Sequence, residues 1–189
     1  MVMLSHTDLR KGVKLELDGN PYVIINSDFV KPGKGQAFTR MRIRNYLNGN
    51  TIERTIKSNE KLLKADIEEK SCQYLYSDGE YFHFMDGETF DQFQFTPDAI
   101  GDTSNWLVEN ENYQILFWGG KAISAEAPNK VDLEVTECDP GVRGDTAQGT
   151  TKPATLSTGA TVNVPLFVEA GDWIKVDTRT GDYLERVKK

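Results

Sequence analysis

Apolar and polar residues alternate with a period of two along most of the chain, the mark of strands that bury one face and leave the other to water. Residues 13–17 read Val-Lys-Leu-Glu-Leu, Asp18-Gly19-Asn20-Pro21 supplies a turn, and Tyr22-Val23-Ile24-Ile25 returns as the next strand. Residues 37–46 alternate again before Asn48-Gly49 turns the chain into Thr51-Ile52-Glu53-Arg54-Thr55-Ile56. These segments predict a small, closed or nearly closed barrel of about five strands. The style recurs in Gln73-Tyr74-Leu75-Tyr76, the hairpin signal Asp78-Gly79, Tyr81-Phe82-His83-Phe84-Met85, and residues 113–118 followed by Gly119-Gly120. Residues 97–107 between them suit a short helix or irregular crossover. Residues 131–135, 161–164 and 173–177 read as further strands, with a turn at Arg179-Thr180-Gly181-Asp182.

The expected fold class is therefore all-β, as three consecutive small barrels. About five short strands in roughly sixty residues, twice over, fit the oligonucleotide-binding (OB) barrel better than a sandwich. Charge divides the chain in the same places. Residues 1–64 hold 12 basic and 6 acidic residues, residues 65–128 hold 2 and 13, and residues 129–189 hold 8 and 10. Three modules, 1–64, 65–128 and 129–189, follow as the expected domains, the first built to meet a polyanion and the second repelled by one. Tyr74, Tyr76, Tyr81, Phe82 and Phe84, set among those acidic residues, are expected to form a core rather than a base-stacking platform.

Several function classes fall away. No stretch approaches the roughly 20 apolar residues of a membrane span, and the first residues lack the basic and apolar regions of a secretory signal, so a cytoplasmic protein with no membrane partner is expected. Cys72 and Cys138 are too few for a disulfide framework and lack CxxC spacing; each is expected to be a small apolar residue in a local core. His6 and His83 sit in no ligand pattern, so no metal site is expected. No Walker A, GxGxxG or GxSxG element occurs.

The sharpest local signal is Lys31-Pro32-Gly33-Lys34-Gly35-Gln36-Ala37-Phe38. Pro32-Gly33 suits the centre of a type II turn, which leaves Lys34 at the tip between two glycines, unshielded and unfixed. On the strand leaving the loop, Phe38, Arg40, Arg42, Arg44 and Tyr46 share one parity and Ala37, Thr39, Met41 and Ile43 the other. Three guanidiniums at about 7 Å per step match the spacing of backbone phosphates. Asp28 and Glu53 could neutralise the row within the barrel; otherwise the row needs an anionic partner, and structured RNA is inferred, touched through its backbone.

The loop motif resembles that of bacterial elongation factor P. Lys152-Pro153-Ala154-Thr155, Gly159, Val162, Val164-Pro165, Val168 and Gly171 resemble that family's C-terminal signature, and Asp139-Pro140-Gly141-Val142-Arg143-Gly144-Asp145-Thr146 is similar to its third-domain loop. The resemblance covers the whole chain. It implies an N-terminal KOW-like (SH3-like) barrel followed by two OB barrels in an L-shaped, tRNA-like outline. It further implies a translation factor that binds the 70S ribosome beside P-site peptidyl-tRNA and relieves stalling at consecutive prolines by promoting peptide-bond formation, with no active site of its own. Residues Lys31, Pro32, Gly33, Lys34, Gly35 and Gln36 would then face the CCA end of the tRNA. Lys34 would be extended after translation by a β-lysyl group, attached by a lysyl-tRNA-synthetase-like ligase, and no cofactor is expected. Arg40, Arg42 and Arg44 would contact the tRNA backbone, and Arg143, Gly144, Asp145 and Thr146 would lie near the E-site codon. The protein is expected to be a monomer.

Two other readings compete. A general single-strand RNA-binding protein using its OB barrels would bind free oligonucleotides, which the charge of residues 65–189 opposes. An enzyme using Lys34 as nucleophile would need desolvation to lower the amine's pKa, and a glycine-flanked loop tip offers none.

Overall fold

The computed structural model describes residues 1–141 and 150–189, whose regular structure is almost entirely strand, with one four-residue helix and one 3-10 turn. No helix among them is long and apolar enough to cross a membrane.

The first sheet is built from β1 (Met3–Leu4), β2 (Lys14–Leu17), β3 (Asn20–Val30), β4 (Phe38–Asn45), β5 (Thr51–Lys57) and β6 (Leu62–Lys64), in the order β1-β6-β2-β3-β4-β5. A two-residue turn at Asp18-Gly19 joins β2 to β3, as the hairpin signal predicts. Leu4, Leu9, Leu15, Ile24, Met41, Ile43, Ile56 and Leu62 form its buried cluster. Strand β3 runs further than the apolar run Tyr22-Val23-Ile24-Ile25 suggests. It stays in the sheet because a bulge at Ile25 shifts its register against β4: Ile24 pairs with Ile43, but Asn26 pairs with Arg42. The extra residue turns Asn26 and Asp28 outward; on unbroken alternation they would share the buried face of Ile24.

The second sheet contains β7 (Ile67–Ser77), β8 (Phe82–Asp86), β9 (Gln92–Phe95), β10 (Asn112–Trp118) and β11 (Lys121–Glu126), in the order β11-β10-β7-β8-β9. Helix α1 (Pro97–Ile100) and a 3-10 turn (Gly101–Trp106) fill the predicted crossover. Tyr74 and Phe84 are buried with ring centroids 5.2 Å apart, and Phe84 stacks on Phe93 at 6.0 Å. Tyr81 and Phe82 are half-buried. Tyr76 departs from the expected aromatic core: it is 48% exposed and stacks on His83, whose Nε2 lies 2.8 Å from Asp78 Oδ2. A register shift between Tyr74 and Tyr76 sets the two tyrosines in different surroundings despite their shared parity.

The third sheet contains β12 (Lys130–Cys138), β13 (Thr151–Leu156), β14 (Thr161–Pro165), β15 (Trp173–Asp177) and β16 (Asp182–Val187), in the order β14-β13-β12-β15-β16, and its outer strands β14 and β16 approach each other. Its core holds Leu133, Val135, Leu156, Val162, Val164, Ile174 and Val176, together with Trp106 from the 3-10 turn. Thr158 Oγ1 donates to the Asn105 carbonyl at 2.5 Å and so holds that turn in place. By compactness the chain parts into two units, one of residues 1–70, 95–99 and 115–124, the other of residues 71–94, 100–114 and 125–189. Cys72 is buried and Cys138 half-buried, the latter with Sγ 3.5 Å from the Val168 carbonyl.

Candidate nucleic-acid interface

Strands β3 and β4 form a long antiparallel pair whose connection, residues 31–37, is the loop singled out by its glycines. Lys31, Gly33, Lys34, Gly35 and Gln36 are exposed and Pro32 is half-buried. The turn differs from the expected type II turn at Pro32-Gly33. Gly33 has no positive φ, while Gly35, with φ of 112°, takes the conformation that L side chains rarely adopt. The reversal therefore falls after Lys34, and the lysine stays at the tip. Gln36 Nε2 donates to Ser58 Oγ at 3.3 Å, tying the descending arm of the loop to the residue after β5.

In β4 the burial alternates without a break: Thr39, Met41, Ile43 and Asn45 are buried, and Arg40, Arg42 and Arg44 are exposed. The inward side chains bury apolar surface and lock the strand, so the three guanidiniums leave one face at about 7 Å intervals. Asp28 stands opposite Arg40 across β3, and Glu53 stands opposite Arg42 across β5. Neither acid closes an ion pair with the row: among the described residues Arg40, Arg42 and Arg44 make none. Asp28 is instead engaged along its own strand, where Asn26 Nδ2 donates to its Oδ2 at 3.4 Å. The arginines thus keep their donors for an outside partner.

Alternation alone does not find Phe29 and Lys57. Phe29 is 56% exposed at the base of the loop and stacks on His6 with centroids 5.7 Å apart. Its register opposite Thr39 gives it the inward parity, yet it stays exposed where Thr39 is buried. Lys57 is exposed opposite Phe38 and carries the positive surface onto β5. Chemically, the hairpin offers an unfixed ammonium at its tip, an aromatic face at its base and a row of planar donors, a set suited to phosphate, ribose and base contacts. Among the described residues no group of three His, Cys, Asp or Glu is placed to hold a metal ion.

Arg143, Gly144, Asp145 and Thr146 lie outside the described residues. The chain leading to and from them is fixed. Lys152 is buried and its Nζ donates to the Asp139 carbonyl at 2.6 Å. Gly141 lies so close to the Leu166 carbonyl oxygen that any Cβ there would overlap it.

Comparison with known proteins agrees along the chain. Residues 5–62 match the family described as elongation factor P KOW-like domain, residues 67–125 elongation factor P OB domain, and residues 131–186 elongation factor P, C-terminal. Elongation factor P of Magnetococcus marinus is 50% identical over 98% of this chain and 100% of its own length. That of Coprothermobacter proteolyticus is 51% identical, again over 98% and 100%. A solved structure of eukaryotic translation initiation factor 5A from Methanococcus jannaschii aligns with a TM-score of 0.50 at 21% identity, over 67% of this chain and 97% of that one, a likeness of fold.

Proposed function

The chain belongs to the elongation factor P family, translation factors rather than enzymes, and from that premise we propose that it binds the ribosome beside P-site peptidyl-tRNA and promotes peptide-bond formation between consecutive prolines through the Lys34 loop. One observation carries the reading: an exposed lysine between two glycines, at the head of a strand whose three exposed arginines close no ion pair among the described residues.

The chemistry follows from what proline lacks. Proline is a poor donor and acceptor in peptide transfer, so a factor that holds the tRNA end in a reactive geometry lowers the entropic part of the barrier without supplying an acid or base. Arg40, Arg42 and Arg44 supply backbone contacts that fix register without reading sequence. Lys34 reaches beyond them toward the CCA end, flanked by Lys31, Pro32, Gly33, Gly35 and Gln36. A lysyl-type extension, attached by a lysyl-tRNA-synthetase-like ligase, lengthens that reach and adds amines for phosphate and ribose. Arg143, Gly144, Asp145 and Thr146 meet the ribosome or mRNA. The protein works as a cytoplasmic monomer in three modules, 1–64, 65–128 and 129–189.

Translation of a reporter with three consecutive prolines, reconstituted from purified components, tests this. Protein from its native host should relieve the stall and Lys34→Ala should not. Absence of relief by native protein whose Lys34 peptide is confirmed as modified by mass spectrometry would overturn the reading.

A further inference from the structure

A second feature lies far in sequence from the loop and the arginine row, on the outer face of the third sheet. Trp173 of β15 stands in register with Glu134 of β12 and Val187 of β16, and is half-buried. Lys189, two residues beyond β16, holds its Nζ 4.1 Å from the centroid of the Trp173 ring, well inside the about 6 Å at which an indole face attracts a cation. The contact occupies a cleft of about 300 Å³, whose lining includes Glu111, Asn112, Asp132, Ser157, Trp173 and Lys189.

The charge of this cleft exceeds what Lys189 supplies. Asp132 pairs in register with Lys175 and attracts its ammonium, but the ion pair that ammonium closes is with Glu185 at 2.7 Å. Lys189 itself closes no ion pair among the described residues. Glu111 and Asp132 therefore line the same cleft as the Trp173 ring, and Lys189 is the one basic residue of its described lining, at the border of the most acidic stretch of the chain, residues 65–128. A phosphate-bearing ligand is repelled there and a cation is drawn in.

We propose that this cleft is a docking site for a cationic side chain, arginine above all, of a basic partner protein, and that Lys189 is the chain's own occupant, displaced when the partner docks. A guanidinium suits the site better than the resident ammonium, because its plane stacks on the indole while its edge keeps donors for the carboxylates that line the cleft. The acidic middle of the chain then has a positive role, as the side that meets basic protein while residues 1–64 meet nucleic acid.

The test follows the indole N–H resonance of Trp173 in the full chain, assigned with Trp173→Phe, during titration with a capped tetra-arginine peptide and, separately, with a four-nucleotide RNA. The peptide should shift the resonance saturably, and Lys189→Ala should tighten its binding by about two- to fivefold, since the site no longer has to be vacated. Glu111→Gln and Asp132→Asn should each weaken it. Lys189 is exposed and outside the core, so that variant keeps the fold whatever becomes of substitutions at Trp173. The proposal is overturned if the peptide gives no saturable shift with either wild type or Lys189→Ala, if removing Lys189 leaves the affinity unchanged, or if the RNA binds there in place of the peptide.

Discussion

Lys34 makes no hydrogen bond or ion pair among the described residues and is exposed, so the fold does not depend on it. Replacing it with Ala should leave unfolding stability within about 0.5 kcal/mol of wild type in urea titrations, and a larger change would mean that the loop is part of the framework. Gly141 is the opposite case. Its missing Cβ is what allows the Leu166 carbonyl to pass, and Gly141→Ala should cost about 1–3 kcal/mol in the same titration as the two backbones are pushed apart. How much of this the sequence discloses depends on how local the cause is. Lys34 stands out because its two neighbours are glycines, a fact of adjacent residues. Which glycine takes positive φ is not local in that sense: Pro32 favours a turn centred on Gly33, but the way the loop closes onto β4 puts the reversal at Gly35. Gly141 owes its role to a residue 25 positions later, invisible along the chain.

Strand β4 is the element where pattern and structure coincide, because its inward positions Thr39, Met41, Ile43 and Asn45 alternate without interruption. Each of Arg40→Ala, Arg42→Ala and Arg44→Ala should reduce the salt dependence of ribosome binding, lowering the slope of log K against log salt by about 0.7–0.9 for each phosphate that is no longer neutralised. Unchanged slopes would make the row structural. Its neighbour β3 is less legible, because a single inserted residue at Ile25 reverses its faces and only the pairing with β4 reveals it. Strand β13 escapes the pattern for another reason. Pro153 argues against a strand interior, yet the pairing of β13 with β12 extends only to Ala154, so the missing N–H at 153 costs no ladder bond on that side. Turns carry their own chemistry. The His83 ring, then the Tyr81 and Glu80 amides, hold Asp78 down to about 2, and the Arg179 guanidinium, then its amide, does the same for Asp177. Unfolded, both titrate near 3.8, so their stabilisation is complete above that value and is lost as pH falls toward about 2. The double variant Asp78→Asn, Asp177→Asn should accordingly lose stability less steeply than wild type over that interval, and an unaltered acid limb would show that the two turns do not matter to it.

At the scale of the whole molecule, charge is segregated along the chain: residues 1–64 carry an excess of six positive charges and residues 65–128 an excess of eleven negative ones. Such a distribution orients association with a large polyanion and resists nonspecific coating of nucleic acid by the rest of the chain. Composition makes this visible directly. It does not show that Trp106, which precedes every strand of the third sheet, is buried among Leu133, Val135 and Val162 of that sheet, since burial there depends on the 3-10 turn and on the bond from Thr158 to Asn105. Trp106→Ala should cost about 3–5 kcal/mol, read as a lowered urea midpoint, whereas a cost below about 1 kcal/mol would mean the indole is not part of that core. On the function proposed above, the Lys34 loop accelerates proline–proline bond formation by positioning the P-site tRNA end. The most direct test is the single-turnover rate of that bond on purified ribosomes at saturating factor, comparing natively modified protein with Lys34→Ala. The native protein should accelerate the step markedly, and the variant should lose most of that acceleration even when it fully occupies the ribosome; equal acceleration by the two proteins would overturn the role proposed for the loop.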